Sequence, residues 1–96
     1  MGLTILLVDD DQILTEKTKN SLNWDSLGIG MVFTANNIHE AKGILKVYKV
    51  DILLCDVDMP MGSGLELVEW IREEGMEIKC IFLSSYANFT YAQKAL

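Results

Sequence analysis

The 96-residue chain is poor in positive charge, cysteine and proline, and these shortages limit what it can do. Eight lysine and arginine residues stand against 14 aspartate and glutamate residues, and the net charge of −6 argues against nucleic-acid binding by this segment itself. No apolar run approaches the roughly 20 residues of a membrane-spanning helix, and the N-terminus lacks the order of a signal peptide. We therefore expect no membrane partner.

The only two cysteines, Cys55 and Cys80, lie inside apolar runs and lack the spacing of a metal site. This placement predicts buried free thiols in a cytoplasmic protein rather than a disulfide. Half of the residues are hydrophobic, which is a high share for one short domain, because small chains bury a smaller fraction of their surface. The excess indicates that a partner or a further segment covers apolar surface.

Apolar runs alternate with amphipathic segments along the chain. Strands are predicted at 3–8, 31–34, 52–55 and 78–83. Asp11, Asn37 and Ser63 are predicted to cap three helices, and a fourth helix is predicted to begin at Asn88. Because strands and helices alternate, the fold class is α/β, a doubly wound parallel sheet with right-handed crossovers and helices on both faces.

Residue spacing also predicts which side of each helix faces the sheet. The inward residues are expected to be Ile13, Leu14 and Leu22 in the first helix, Ile38, Ala41, Leu45 and Tyr48 in the second, and Leu65, Leu67, Val68, Trp70 and Ile71 in the third. Trp24 and Leu27 are expected to fold inward from a turn over 23–28, and Gly75 is expected to end the third helix in a left-handed conformation.

Polar residues follow three of the predicted strands. Asp9 and Asp10 follow the first, Asp56 ends the third, and Ser84 follows the fourth. In a flavodoxin-like strand order the first and third strands are neighbours, so the carboxylates would share one pocket at the carboxyl edge of the sheet. Carboxylate oxygens suit Mg²⁺, and a carboxylate can also act as a nucleophile. We therefore predict that Asp56 is the reactive group of a Mg²⁺-dependent phosphoryl-accepting site.

With these residues in hand, the chain resembles a bacterial response-regulator receiver domain over essentially its whole length. The similarity includes Leu7-Val8-Asp9-Asp10, Asp56-x-x-Met59-Pro60, Gly64-Leu65-Glu66-Leu67 and Phe82-Leu83-Ser84. Segments 24–28 and 85–96 look like the subgroup whose receivers precede an AraC-type helix-turn-helix domain. The resemblance implies that residues 1–96 form a receiver domain lacking its fifth strand and helix, and that a DNA-binding output domain follows beyond Leu96 in the natural protein.

The resemblance further implies that a sensor histidine kinase phosphorylates Asp56. The Mg²⁺ ligands would be Asp10, Asp56 and the backbone carbonyl of Asp58. Asp9 would support the metal through water, and Ser84 would be the switch hydroxyl. Phosphorylation would shift a pre-existing equilibrium toward a homodimer, and DNA would be bound only through the output domain. Such a domain is a signalling module that takes part in its own phosphoryl transfer, not an enzyme.

The chain departs from the family pattern in two places. Met61-Gly62 stands where a Gly-Met order is usual, which predicts a different loop shape with the same chemistry. The lysine that ends the family's fifth strand has no counterpart here, because the seven lysines of the chain lie on predicted helices or at the wrong end of a strand.

Two other functions remain open at this stage. A degenerate receiver would act as a protein-interaction module without phosphorylation, although every acidic and hydroxyl residue named above is present. A haloacid-dehalogenase-type phosphatase would use Asp56 and Asp58 as nucleophile and general acid, but that family places the pair on its first strand. A calcium loop starting at Asp56 fails, because Met61 and Leu67 stand where glycine and glutamate are needed.

Overall fold

Strands and helices alternate along residues 2–56 and 64–83, which are the residues that this computed structural model describes. The strands are β1 (Leu3–Val8), β2 (Ile29–Ala35), β3 (Ile52–Asp56) and β4 (Lys79–Leu83). The helices are α1 (Gln12–Ser21), α2 (Ile38–Val47) and α3 (Gly64–Glu73), and a short 3-10 helix covers Asp25–Leu27. The predicted helix from Asn88 and the predicted cap Ser63 lie outside the described residues.

The described strands form one parallel sheet in the order β2-β1-β3-β4. Ile5 of β1 is paired with Val32 of β2 on one side and with Ile52 of β3 on the other, so β1 and β3 occupy the centre. The predicted doubly wound, flavodoxin-like order is therefore confirmed. No helix within residues 2–56 and 64–83 is long and apolar enough to cross a membrane.

Both faces of the central strands are buried, which explains why their apolar residues are consecutive rather than alternating with polar ones. On one face, Leu6 and Leu53 belong to a core cluster that includes residues of α2 and α3. On the other face, Ile5 and Leu54 pack with the half-buried Trp24 and Leu27, as their inward placement predicted. Burying one such leucine or isoleucine side chain stabilises the fold by about 1.5–3 kcal/mol.

Side-chain caps fix where the first two helices begin. The backbone N–H of Leu14 donates to Oδ1 of Asp11 at 3.0 Å, and the N–H of Glu40 donates to Oδ1 of Asn37 at 2.8 Å. Both caps confirm the sequence prediction. The return bond of the capping box is shifted by one residue, because Oε1 of Glu40 accepts from the N–H of Asn36 at 2.8 Å. The start of α2 thereby also holds Asn36, the residue that follows β2.

Gly75 ends α3 with φ of +70°, as predicted. Its N–H donates to the carbonyl of Arg72, and the N–H of Met76 donates to the carbonyl of Ile71, both at 3.1 Å. This pair of bonds is the Schellman motif, which satisfies carbonyls that the end of a helix would otherwise leave unpaired. A left-handed residue is needed there, and glycine adopts that conformation without steric cost.

The predicted inward faces were wrong in three places. Ile13 is 81% exposed, and Thr15 is the buried residue of α1. The two are 200° apart around the helix, so they cannot share a face. Leu65 is 59% exposed because the residue before it, Gly64, is the one that meets the sheet. Tyr48 follows the end of α2 and is half-exposed, and its ring lies 4.6 Å from that of Phe33.

Asp51 joins three strands at the amino edge of the sheet, where β3 begins. Its backbone N–H donates to the carbonyl of Thr4 at 2.8 Å, and its Oδ2 accepts from the N–H of Thr4 at 2.8 Å. Its own carbonyl accepts from the N–H of Lys79 at 3.0 Å. The start of β3 is thereby tied to β1 and β4.

Candidate functional site

Three carboxylates meet at the carboxyl edge of the sheet. Asp9 and Asp10 follow β1, and Asp56 is the last residue of β3. The two strands are neighbours in parallel register, with Val8 opposite Cys55, so the residues after them come together. One carboxylate oxygen from each aspartate lies within 4.8 Å of the other two. Asp10 is exposed, whereas Asp9 and Asp56 are half-buried, so the cluster opens to solvent on one side.

Burial and neighbouring negative charge both act on Asp9. Burial raises the pKa of its carboxyl from the ordinary value of 3.8 to about 6. The backbone N–H of Asp11, which donates to Oδ1 of Asp9 at 2.9 Å, opposes that rise, while the charges of Asp56 and Asp10 add to it. A cation held between these carboxylates would relieve the repulsion that raises the pKa.

The main chain of Asp9 is held by the end of the neighbouring strand. Its N–H donates to the carbonyl of Ala35 at 3.1 Å, and its carbonyl accepts from Nδ2 of Asn36 at 2.9 Å. The same Nδ2 of Asn36 also donates to Oγ1 of Thr15, a residue of α1, at 3.2 Å. Both backbone groups of Asp9 are therefore bonded to the end of β2 and the residue that follows it.

The start of α3 lies close against the end of β3, beside Asp56. A Cβ atom on Gly64 would lie 2.7 Å from Cε1 of Phe82 and 3.0 Å from Sγ of Cys55, so α3 can approach only because this residue has no side chain. Cys55 is fully buried, and burial raises the pKa of its thiol to about 12, with a further contribution from the charge of Asp56. Both cysteines are free, as predicted, but Cys80 is only half-buried.

The donor set suits a small, hard dication. Mg²⁺ prefers carboxylate and carbonyl oxygens, keeps several waters and needs little enclosure by protein. Three carboxylates around one point, one of them exposed, match that preference. A nitrogen- or sulfur-preferring metal would find no suitable ligand in this cluster, since Cys55 points into the apolar core.

Comparison with known proteins identifies the chain. Residues 5–96 match the family described as the response regulator receiver domain. The chain belongs to this family. It is 34% identical over 92 residues to the uncharacterized transcriptional regulatory protein YesN of Bacillus subtilis. The match covers 96% of this receiver domain but only 25% of that protein, so the chain spans about a quarter of its relative's length.

Solved receiver structures show the same relationship. A two-component transcriptional regulator AraC from Clostridium phytofermentans is 31% identical, with a TM-score of 0.79 over 98% of this chain and 73% of that one. The receiver domain of AraT, a response regulator from Geobacillus stearothermophilus, is 32% identical, with a TM-score of 0.77 over 99% and 74%. The predicted resemblance, including that to AraC-type regulators, is confirmed. A haloacid dehalogenase is disfavoured, because Asp56 ends the third strand.

The structure brings together three of the five site residues that the sequence predicted for this receiver domain. These are Asp9, Asp10 and Asp56. Asp58 and Ser84 lie outside the described residues, so a carbonyl ligand from the first and a switch hydroxyl from the second stay predictions.

Sequence reasoning missed Asn36 and Gly64. A polar residue just past β2 was a usable signal for Asn36, because β2 is predicted to end at the same edge of the sheet as the aspartates. Gly64 belongs to a segment that carries the resemblance, but its close approach to β3 was not predicted, since a glycine at a helix start is compatible with many environments.

Proposed function

We propose that this receiver domain accepts a phosphoryl group on Asp56 from a sensor histidine kinase, in a Mg²⁺-dependent reaction. The observation that carries the proposal is the cluster of Asp9, Asp10 and Asp56, whose carboxylate oxygens lie within 4.8 Å of one another. Asp56 is the nucleophile because it alone ends a central strand, with its main chain fixed by the pairing of β3 and β4.

The reaction forms one bond and breaks another. A carboxylate oxygen of Asp56 attacks phosphorus, and the phosphorus–nitrogen bond of the kinase phosphohistidine breaks, so that its electron pair returns to the imidazole. Asp10 and Asp56 would hold Mg²⁺, with Asp9 supporting it through water, and the carbonyl of Asp58 remains a predicted third ligand. When bound, Mg²⁺ supplies positive charge between the carboxylates and the incoming phosphoryl oxygens.

The residues around Asp56 explain how the nucleophile is kept in place. Asp56 continues directly from the fully buried Cys55, and Gly64 lies against this end of the strand, so the strand end has little room to shift. On the open side, the exposure of Asp10 leaves access for a phosphodonor. A fixed nucleophile in a site that is open to solvent on one side suits transfer of a phosphoryl group from a second protein.

The consequences of phosphorylation belong to the same proposal. Ser84 follows β4, the neighbour of β3, and would turn its hydroxyl toward the phosphoryl group. The phosphorylated form would favour a homodimer, and DNA would be bound through an output domain beyond residue 96. The resemblance to transcriptional regulators that are much longer than this chain supports that arrangement. Two free thiols suit the reducing cytoplasm, where we place the protein.

Intact mass spectrometry of the protein with its natural ends, after incubation with acetyl phosphate and Mg²⁺, tests the proposal. We expect one phosphoryl adduct, which is lost in Asp56→Asn and when the metal is chelated. Asp51→Asn is the matched control, because it neutralises an aspartate at the opposite edge of the sheet and should leave the adduct intact. Absence of the adduct together with absence of Mg²⁺ binding would refute the proposal and favour a degenerate receiver that acts as an interaction module.

A further inference from the structure

We propose that Asn36 is a positioning residue of the acidic site: its side chain fixes the peptide plane between Asp9 and Asp10, and so places both carboxylates for the metal. This inference rests on the proposed function. Asn36 carries no charge and does not belong to the carboxylate cluster, so any effect it has on Mg²⁺ binding must act through the residues that it holds.

The hydrogen bonds of Asn36 define its orientation. Its Nδ2 donates to the carbonyl of Asp9 at 2.9 Å and to Oγ1 of Thr15 at 3.2 Å. A carbonyl oxygen can only accept, and the Thr15 hydroxyl already donates to the carbonyl of Gln12 at 2.9 Å. The amide nitrogen of Asn36 must therefore face both groups, because the reverse orientation would put oxygen against oxygen.

The carbonyl that Asn36 holds lies in the main chain between Asp9 and Asp10. It belongs to the planar peptide unit whose nitrogen is that of Asp10, so fixing it fixes the direction in which the chain leaves Asp9. The N–H of Asp9 is held by the carbonyl of Ala35, the residue before Asn36. The last residue of β2 and the residue after it thus bond both backbone groups of Asp9.

Asn36 is itself held in place. Its backbone N–H donates to Oε1 of Glu40 at 2.8 Å, which ties it to the first turn of α2. Its other partner, Thr15, is 4% exposed and is the buried polar residue of the part of the chain described here. Because Thr15 lies on α1 and Asp9 ends β1, Asn36 connects the elements on both sides of the acidic loop.

Asn36→Ala tests the proposal, and its neighbour provides the matched control. Asn36→Ala removes the amide that donates to Asp9 and Thr15. Asn37→Ala instead removes the α2 cap, which accepts from the N–H of Glu40. Calorimetric titration with MgCl₂ and urea unfolding are measured on both. We expect Asn36→Ala to weaken Mg²⁺ binding by about tenfold, as for other residues that orient metal ligands. Asn37→Ala should lower the urea midpoint and keep the wild-type dissociation constant.

A second pair of variants covers the case in which Asn36→Ala does not fold. Thr15→Val removes the hydroxyl that accepts from Asn36, and Thr15→Ser retains it. We expect weaker Mg²⁺ binding for Thr15→Val and near-normal binding for Thr15→Ser. Equal dissociation constants for these two variants would overturn the positioning role.

The remaining outcomes separate the two proposals. Wild-type Mg²⁺ binding in Asn36→Ala, or an equal loss in Asn37→Ala, would overturn the positioning role and leave the phosphoryl-accepting function standing. If the wild-type protein binds no Mg²⁺ and takes no phosphoryl group from acetyl phosphate, the proposed function fails, and the positioning role fails with it.

Discussion

Gly64, the first residue of α3, lies so close to Asp56, the last residue of β3, that a Cβ atom on Gly64 would be 3.2 Å from the Asp56 carbonyl oxygen. The same atom would be still closer to Phe82 and Cys55. The constraint comes from close approach rather than from backbone conformation, because the glycines with positive φ are Gly28 and Gly75 in the described part of the chain.

Gly64→Ala is therefore expected to reduce the unfolding free energy by about 1–3 kcal/mol, the usual cost of forcing an extra carbon into a packed interior. It should also slow phosphorylation, because the strand end that carries Asp56 must move to admit the methyl group. Urea unfolding and acetyl phosphate kinetics measure the two effects.

Gly43→Ala is the matched control for that substitution. Gly43 is exposed within α2, and a Cβ atom there would meet nothing within 4 Å. Because alanine is the better helix former, Gly43→Ala should stabilise the protein by about 0.5–1 kcal/mol. Equal effects of the two substitutions would show that helix propensity, not the contact with Asp56, governs position 64.

The sequence predicted the central features of the fold because their signals are local. The consecutive apolar residues of β1 and β3, the caps Asp11 and Asn37, and the glycine at 75 each depend on neighbours a few residues away. Asp9, Asp10 and Asp56 could be placed together because parallel strands end at the same edge.

The features that the sequence did not predict depend on partners far along the chain. Ile13 and Thr15 are both compatible with a buried position in a short helix with a thin apolar stripe. Thr15 is buried because its hydroxyl accepts from Asn36, which is 21 residues away. Likewise, the role of Asn36 follows from a bond to Asp9, 27 residues earlier, which no periodic pattern reports.

Cys55 should resist alkylation in the folded protein although it adjoins the proposed site of phosphorylation. Burial, together with the adjacent negative charge of Asp56, raises the pKa of its thiol to about 12, so almost no reactive thiolate forms at neutral pH. Iodoacetamide labelling followed by peptide mass spectrometry should show slow modification of Cys55 and faster modification of the half-buried Cys80.

Labelling in urea provides the control for that experiment, because both thiols should then react at similar rates. Rapid native labelling of Cys55, at the rate seen in urea, would mean that the end of β3 opens far more often than its burial implies.

Asp51→Ala should destabilise the protein without affecting the acidic site. The substitution removes the carboxylate that accepts from the N–H of Thr4 at 2.8 Å, and a bond to a charged acceptor in a half-buried position is worth about 1–2 kcal/mol. Asp51→Asn keeps an acceptor oxygen and should retain most of the stability. Urea unfolding measures the loss, and an altered Mg²⁺ dissociation constant in either variant would contradict the separation of the two sheet edges.

The raised pKa of Asp9 predicts how the metal-free protein responds to pH. The folded-state pKa of about 6 exceeds the ordinary value of 3.8, so the folded protein binds the Asp9 proton more tightly than the unfolded chain does. The stability from that proton is fully present below the ordinary value and is lost as pH rises through about 6. The unfolding free energy of the wild type relative to Asp9→Asn should therefore decrease as the pH rises from 3.8 to about 6.

Urea unfolding of both proteins in the presence of a chelator measures this difference, in which the pH dependence of the other acidic groups largely cancels. Adding Mg²⁺ at neutral pH should restore stability to the wild type, by about 2.7 kcal/mol at a concentration one hundred times the dissociation constant. The Asp9→Asn variant should gain less stability from Mg²⁺, because it lacks one of the negative charges that support the metal. A difference that stays flat with pH would mean that burial and the neighbouring charges do not raise the pKa of Asp9, and a difference that increases with pH would reverse the expected sign.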